Sequence, residues 1–316
     1  MIKYKLITAI FVLILMFELF IIWYKKSQNF ITTTAIPENY KIYLITMDKT
    51  TQYWYTLNNG VSTMSKLLGI TYIWDAPQKR NADEQINIIS NAVNNGADAL
   101  MIAATDPVIV SGVIEDAIAR GVKIIYVDSP ANVEGIVTLA TDNYSAGITA
   151  GETMIHQLES EGIKNGSIGI IESFVEQRTT TERERGFRDA IENDGRFILL
   201  DTKYAGQDRI LAQTMASSYI IEQSDLVGIF STDEITTIGV GNAIKNNNKN
   251  VVGIGFDITE TIQKFIDEGY LKAVMVQSPF TMGYLGLAET IAALKGYDTG
   301  SPFINTGITI WTKYSY

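Results

Sequence analysis

The chain of 316 residues has no cysteine and a single histidine. Without thiols there is no disulfide framework, no thiolate metal site, no Cys nucleophile and no cysteine to carry a lipid. Paired-histidine metal motifs are absent, and triad chemistry would rest on His156 alone. That residue sits in a helical stretch with Glu152 and Glu159 one turn away on either side, which suits a solvated surface position. Positive charge is scarce as well: 25 Lys and Arg face 35 Asp and Glu, a net charge of −10. Nucleic-acid binding needs a basic face to meet phosphates, so no such partner is expected. The pairs Gly239–Gly241 and Gly253–Gly255 lack the third glycine of the dinucleotide fingerprint and read as helix–sheet packing positions. No cofactor, no metal and no enzymatic activity is expected.

What is present begins with an apolar run of 19 residues, 6–24, broken only by Thr8 and Glu18. At a rise of ~1.5 Å per residue such a helix spans a hydrocarbon core of about 30 Å. Lys3 and Lys5 precede the run, Lys25 and Lys26 follow it, and Trp23 and Tyr24 stand where an interfacial anchor belongs. The reading is a cell-membrane protein with a single-pass anchor within residues 1–26 and a tether over 27–38, the remainder facing outward. A cleaved signal peptide is the competing reading. The run exceeds the usual apolar region of about 7–15 residues, and Thr33–Ala35 is a weak cleavage site. Residues 1–36 hold four lysines and one glutamate, so the rest carries 21 basic and 34 acidic residues, net −13.

From residue 41 onward, short Val/Ile/Leu runs alternate with amphipathic stretches. Strands are predicted at 41–46, 71–74, 99–103, 123–127, 135–140, 167–171, 197–201, 226–230, 251–255, 272–276 and 306–311, with helices between them. Continuous apolar strands alternating with helices mean α/β architecture with parallel sheets covered on both faces. Eleven strands exceed one comfortable small sheet, so two doubly wound lobes are expected. Ligands of such folds lie beyond the carboxyl ends of the strands. Those ends carry Tyr53 and Trp54, Asp106, Asp128, Arg183, Asp233, Asp257 and Gln277. Carboxylates accept from hydroxyls, a guanidinium fork donates to oxygens, and aromatic faces cover the C–H face of a sugar ring. The competing reading of each acid is a helix cap. Paired carboxyls such as Asp106 and Asp128 also allow a glycosidase, which would need them about 5–9.5 Å apart around a scissile bond.

The ordered set Gln52-Tyr53-Trp54, Ala104 to Pro107, Val127-Asp128, Thr141 to Asn143 with Ala146-Gly147, Arg183 to Phe187, Phe230 to Asp233, Gly255 to Asp257, and Gln277 with Pro279, Met282 and Gly283 resembles the ribose-binding branch of the type I periplasmic sugar-binding proteins. The resemblance covers residues 40–316. It implies a type I periplasmic binding protein fold with three hinge crossings, near Ser129–Ala131, Gln277–Ser278 and Asn305–Thr306. The N-terminal lobe would comprise 39–129 with 279–305, and the C-terminal lobe 130–278 with 306–316. It implies that Tyr53 and Trp54 sandwich a sugar ring while Asp106, Asp128, Arg183, Asp233, Asp257 and Gln277 bond its hydroxyls. Asp at 233, where the family often has Asn, is a departure. With its membrane segment, the chain is also similar to the xylose-binding sensor proteins that work beside a LytS-type sensor histidine kinase. That likeness implies D-xylose as ligand, the kinase ectodomain as partner and a role in inducing sugar uptake. An ABC sugar permease is the alternative partner, and autoinducer-2 the alternative ligand. Transcription repressors share the two-lobed core, but here a membrane segment takes the place of DNA-binding helices.

Overall fold

The computed structural model describes residues 16–18, 20–21, 40–175 and 177–315. Contacts divide the chain into two units, residues 1–40 and 41–316. The expected anchor at 6–24 and tether at 27–38 lie outside the described residues save for five helical positions, of which Met16, Phe17, Phe20 and Ile21 are exposed. Among the described residues no helix is long and apolar enough to cross a membrane.

The second unit contains two sheets. The first is built from β1 (Ile42–Ile45), β2 (Ile73–Asp75), β3 (Ala99–Ile102), β4 (Lys123–Val127), β5 (Val137–Ala140) and β12 (Phe303–Asn305), in the order β12-β5-β4-β3-β1-β2 and parallel throughout. The second is built from β6 (Gly166–Glu172), β7 (Phe197–Leu199), β8 (Lys203–Tyr204), β9 (Leu226–Ser231), β10 (Val252–Phe256), β11 (Ala273–Gln277) and β13 (Ile308–Thr312). Its order is β13-β11-β10-β9-β6-β7, with β8 alongside β6 and only β13 antiparallel to its neighbour. All four side chains of β3 are completely buried, as expected of a strand covered by helices on both faces. The sequence pattern finds every strand except the short β8 and β12.

Nine helices are described in this unit: α1 (Gln52–Leu68), α2 (Ala82–Asn94), α3 (Ser111–Ala119), α4 (Asn143–Ser160), α5 (Arg178–Asp194), α6 (Arg209–Glu222), α7 (Glu234–Asn247), α8 (Glu260–Glu268) and α9 (Pro279–Leu294). Helix α9 follows β11 but packs on α1 and on β4 of the first sheet, so the chain changes lobes at Gln277–Ser278. It changes again between β12 and β13.

The remaining crossing differs from expectation. Strand β5 pairs with β4, Ile125 opposite Val137 and Val127 opposite Leu139, so residues 130–140 stay with the first sheet. The chain leaves at Thr141–Asp142, not at Ser129–Ala131. Asp128, at φ 69°, and Pro130 make a sharp turn there, which in sequence looks like a linker. The three crossings are tied together: Thr141 Oγ1 donates to Gln277 Oε1 at 3.0 Å, Asp142 N to Asn305 Oδ1 at 3.2 Å, and Thr306 N to Ala140 O at 2.9 Å.

Helices α4 and α5 approach through reciprocal glycines. A methyl group at Gly147 would overlap the backbone carbonyl of Arg183, and one at Gly186 the carbonyl of Tyr144. The contact is with backbone, so no rotamer change relieves it. Gly147→Ala therefore trades about 1 kcal/mol of helix propensity against an overpacking cost of roughly 1–3 kcal/mol. The expected outcome in a thermal melt of residues 41–316 is a melting temperature lower by a few degrees. An unchanged or raised value would show that the helices can separate freely.

Candidate functional site

The carboxyl ends of the two sheets enclose a cavity of about 90 Å³. A water needs about 10–15 Å³ on this measure, so there is room for several waters or one small polyol. Seven of the eight expected residues line it: Tyr53, Trp54 and Asp128 from the first lobe, Arg183, Asp233 and Asp257 from the second, and Gln277 at a crossing.

Asp128 and Asp257 occupy matching places. Each ends a strand, β4 or β10, in left-handed backbone at φ 69° and 66°. Asp is one of the few side chains with a short polar group that tolerates this region. Each backbone N–H still completes a rung to the neighbouring strand, Asp128 to Leu139 O at 2.8 Å and Asp257 to Met275 O at 2.9 Å. Asp128 accepts from the Tyr53 hydroxyl at 2.6 Å and from Ser129 Oγ at 2.6 Å. Asp257 accepts from Gln277 Nε2 at 2.8 Å, so Gln277 spends one end of its amide on Thr141 and the other on Asp257. Asp233 caps α7 through a capping box with Thr236 and also takes a short hydrogen bond from Ser173. It is thus both cap and cavity wall.

Arg183 enters from α5. Its Nε donates to Asn143 Oδ1 at 2.8 Å, its Nη1 to Thr232 O at 2.8 Å, and its guanidinium lies 4.2 Å from the centre of the Phe256 ring. These contacts fix a planar donor group beside the cavity while leaving N–H groups free to face it.

Two expectations fail. Asp106 is not at the cavity; it accepts the backbone N–H groups of Val108 at 2.8 Å and Ile109 at 2.9 Å and closes the turn into α3. Capping and ligand contact use the same residue type at the same strand end, and here capping wins. Tyr53 and Trp54 do not form two parallel faces either. Their rings meet edge to face, 4.9 Å apart at 89°, and the indole N–H of Trp54 donates to Asp48 at 3.1 Å. The other aromatic wall is Phe174, from the opposite lobe.

The structure also brings in residues that the sequence reading passed over. Arg80, in the loop after β2, lies 5.0 Å from the ring centre of Phe174 and donates to Thr105 O, joining the lobes at the cavity rim. Extending the strand-end rule five positions past β2 finds it. Asp48, 2% exposed, gathers Thr50, Thr51 and Trp54 and so holds the start of α1 in place. Glu234, beside Asp233, reads in sequence as an ordinary first-turn acid.

A polar cavity closed between two α/β lobes, with three strands crossing from one to the other, defines a two-lobed solute-binding protein. The chain belongs to the periplasmic binding protein family: the model of that family's domain matches residues 42–298. It is a binding protein and not an enzyme. Among curated relatives, the ribose import binding protein of Haemophilus influenzae is 27% identical over 245 residues, 77% of this chain and 82% of the relative. The xylose/arabinose-binding protein of Sulfolobus acidocaldarius is 22% identical over 298 residues, 85% and 72% of the two chains. A solute-binding protein of Agrobacterium radiobacter, solved with D-arabinose, superposes with a TM-score of 0.84 at 27% identity, over 88% of this chain and 96% of that one.

Burial gives the cavity its electrostatic character. It pushes Asp257 up to about 6, an effect restrained by Arg183 and Gln277, and Glu234 up to about 7, with Asp257 and Asp233 adding to the rise. Burial also raises Asp233, and together with Asp128 it holds the Tyr53 hydroxyl well above its ordinary range. A carboxyl that binds its proton more tightly folded than unfolded stabilises the fold most at low pH and loses that contribution as pH rises through its folded pKa. Asp257 and Glu234 should therefore each withdraw roughly 2–3 kcal/mol of stability between pH 4 and 7. Asp257→Asn with Glu234→Gln removes this slope, so urea titrations should show the variant gaining on the wild type by a few kcal/mol across that window. Parallel profiles would mean that both acids are ionised throughout.

Proposed function

We propose that the protein is a membrane-anchored extracellular sugar receptor that closes its two lobes around one small sugar, with D-xylose as the favoured ligand. The observation that carries this reading is the cavity itself, where Tyr53 and Asp128 of one lobe face Arg183, Asp233 and Asp257 of the other. A sugar bonded from both sides binds the closed arrangement better than the open one, and that difference in affinity drives closure. If the closed form begins at a few per cent, the ligand must favour it by about 3–5 kcal/mol. Relatives that bind ribose and xylose or arabinose, and a solved structure holding D-arabinose, support a pentose-sized ligand.

In this reading residues 6–24 keep the receptor in the membrane beside a LytS-type sensor histidine kinase, and the closed form is what the kinase ectodomain recognises. Delivery to an ABC sugar permease is the second reading, favoured by the import role of the ribose-binding relative. Recovery of the full chain intact from the membrane fraction fits the anchored receptor; a shortened chain released into the medium fits the carrier.

The ligand is tested by melting residues 41–316 against D-xylose, D-ribose, L-arabinose, D-glucose, D-galactose and autoinducer-2. At about 1,000 times its dissociation constant a ligand adds ~4 kcal/mol, a shift of several degrees. Xylose alone should give it. Another sugar would keep the mechanism and replace the ligand, while no shift with any of them would sink the receptor reading. Asp128→Asn and Arg183→Ala should each weaken binding at least tenfold by calorimetry, since loss of a buried charged partner costs about 2–5 kcal/mol.

A further inference from the structure

We propose that the sugar cavity continues into a second chamber that accepts a neutral group attached to the first sugar ring, so that the protein takes glycosides or short oligosaccharides as well as free monosaccharides. The proposal rests on the reading of the main cavity as a sugar site. Beside that cavity lies a larger space of about 290 Å³, bounded by the N-terminal turns of α1 and α9 and by the segment between β10 and α8. The two spaces share four wall residues, Tyr53, Glu234, Asp257 and Gln277, so they are immediate neighbours.

Glu234 is the second observation. The residue is 8% exposed, and its carboxyl has no hydrogen-bond or ion-pair partner among the described residues, yet its oxygens are not sealed from solvent. A largely buried carboxyl whose oxygens keep access to a polar space can take a donor from a ligand that enters it. The other shared groups are already engaged: the Tyr53 hydroxyl with Asp128, and Asp257 with Gln277. Glu234 is thus the acceptor left over where the two spaces meet. A hydroxyl or glycosidic substituent extending from one to the other would meet it.

The chamber's own walls indicate the chemistry of the occupant. Thr56 and Thr281 offer hydroxyls, while Ile258, Pro279 and Phe280 offer apolar faces, the last with 42% of its surface exposed. That mixture suits a second sugar ring or an aromatic aglycone. Glu234 and Asp257 repel an anionic substituent, so a uronic acid or sugar phosphate is excluded.

The test uses the full chain in detergent and isothermal calorimetry. The probes are D-xylose, or whichever sugar the melting scan identifies, the para-nitrophenyl glycosides of both its anomers, and its β-1,4-linked disaccharide. At least one extended probe should bind within about tenfold of the free sugar. Thr56→Trp, which fills the chamber without touching the main cavity, should weaken that probe at least tenfold and leave the free sugar within about twofold. Thr281→Trp gives the same reading from the opposite wall should the first variant fold poorly. Binding of the free sugar with every extended probe more than tenfold weaker overturns the proposal. So does a tryptophan that affects both ligand types equally or affects neither. If no free sugar binds at all, the receptor reading has failed first, and the chamber falls with it.

Discussion

The site depends on a guanidinium that is buried without an ion pair among the described residues. Arg183 is 3% exposed and is held by an amide oxygen, a carbonyl oxygen and an aromatic face rather than by a carboxylate. Its countercharges, Asp233 and Asp257, act on it without direct contact. Charge separation of this kind is unfavourable in a dry interior unless something bridges it. A polyol is suited to that task, since each hydroxyl donates toward a carboxylate and accepts from the guanidinium. The raised proton affinities of Asp257 and Glu234 and the uncommitted N–H groups of Arg183 have one cause: polar groups of both signs are buried around one cavity.

Rigidity upstream of that wall is supplied by packing. The reciprocal glycines of α4 and α5 put the Arg183 backbone directly against Gly147, and the same device recurs where α1 meets α9 through Gly60 and Gly283. These are the helices that carry Arg183 and Tyr53. Arg183 and Tyr53 are therefore presented from tightly seated helix pairs, and the lobes are linked by the Arg80–Phe174 contact at the rim and by the three crossings. A cation–π contact at such a position is worth about 0.5–2 kcal/mol. That is too little to hold the lobes shut alone.

Much of this was legible in the sequence, for physical reasons that can be named. Fully apolar strands announced parallel sheets, and the strand-end rule located Asp128, Arg183, Asp233, Asp257 and Gln277. The rule failed at Asp106 because an acid that caps a turn and an acid that binds a hydroxyl are the same residue in the same place. It misses Arg80 because that residue stands five positions beyond the end of β2, and Glu234 because an acid in a first helical turn has a sufficient local explanation. The lobe boundary went astray at Pro130, where a tight turn within one sheet has the composition of a linker. The edge-on arrangement of Tyr53 and Trp54 had no sequence signal, since adjacent positions on a helix reveal proximity but not ring orientation.

The three crossing segments run side by side and are hydrogen-bonded to one another through Thr141, Gln277, Asn305, Thr306 and Ala140. Segments tied in this way move together rather than independently. Where a ligand closes the lobes as proposed, occupancy of the cavity becomes readable from one distance between them. Fluorophores placed on exposed helical positions of opposite lobes, such as Leu67 and Ile221, would turn the protein into a ratiometric optical reporter whose signal varies monotonically with bound solute.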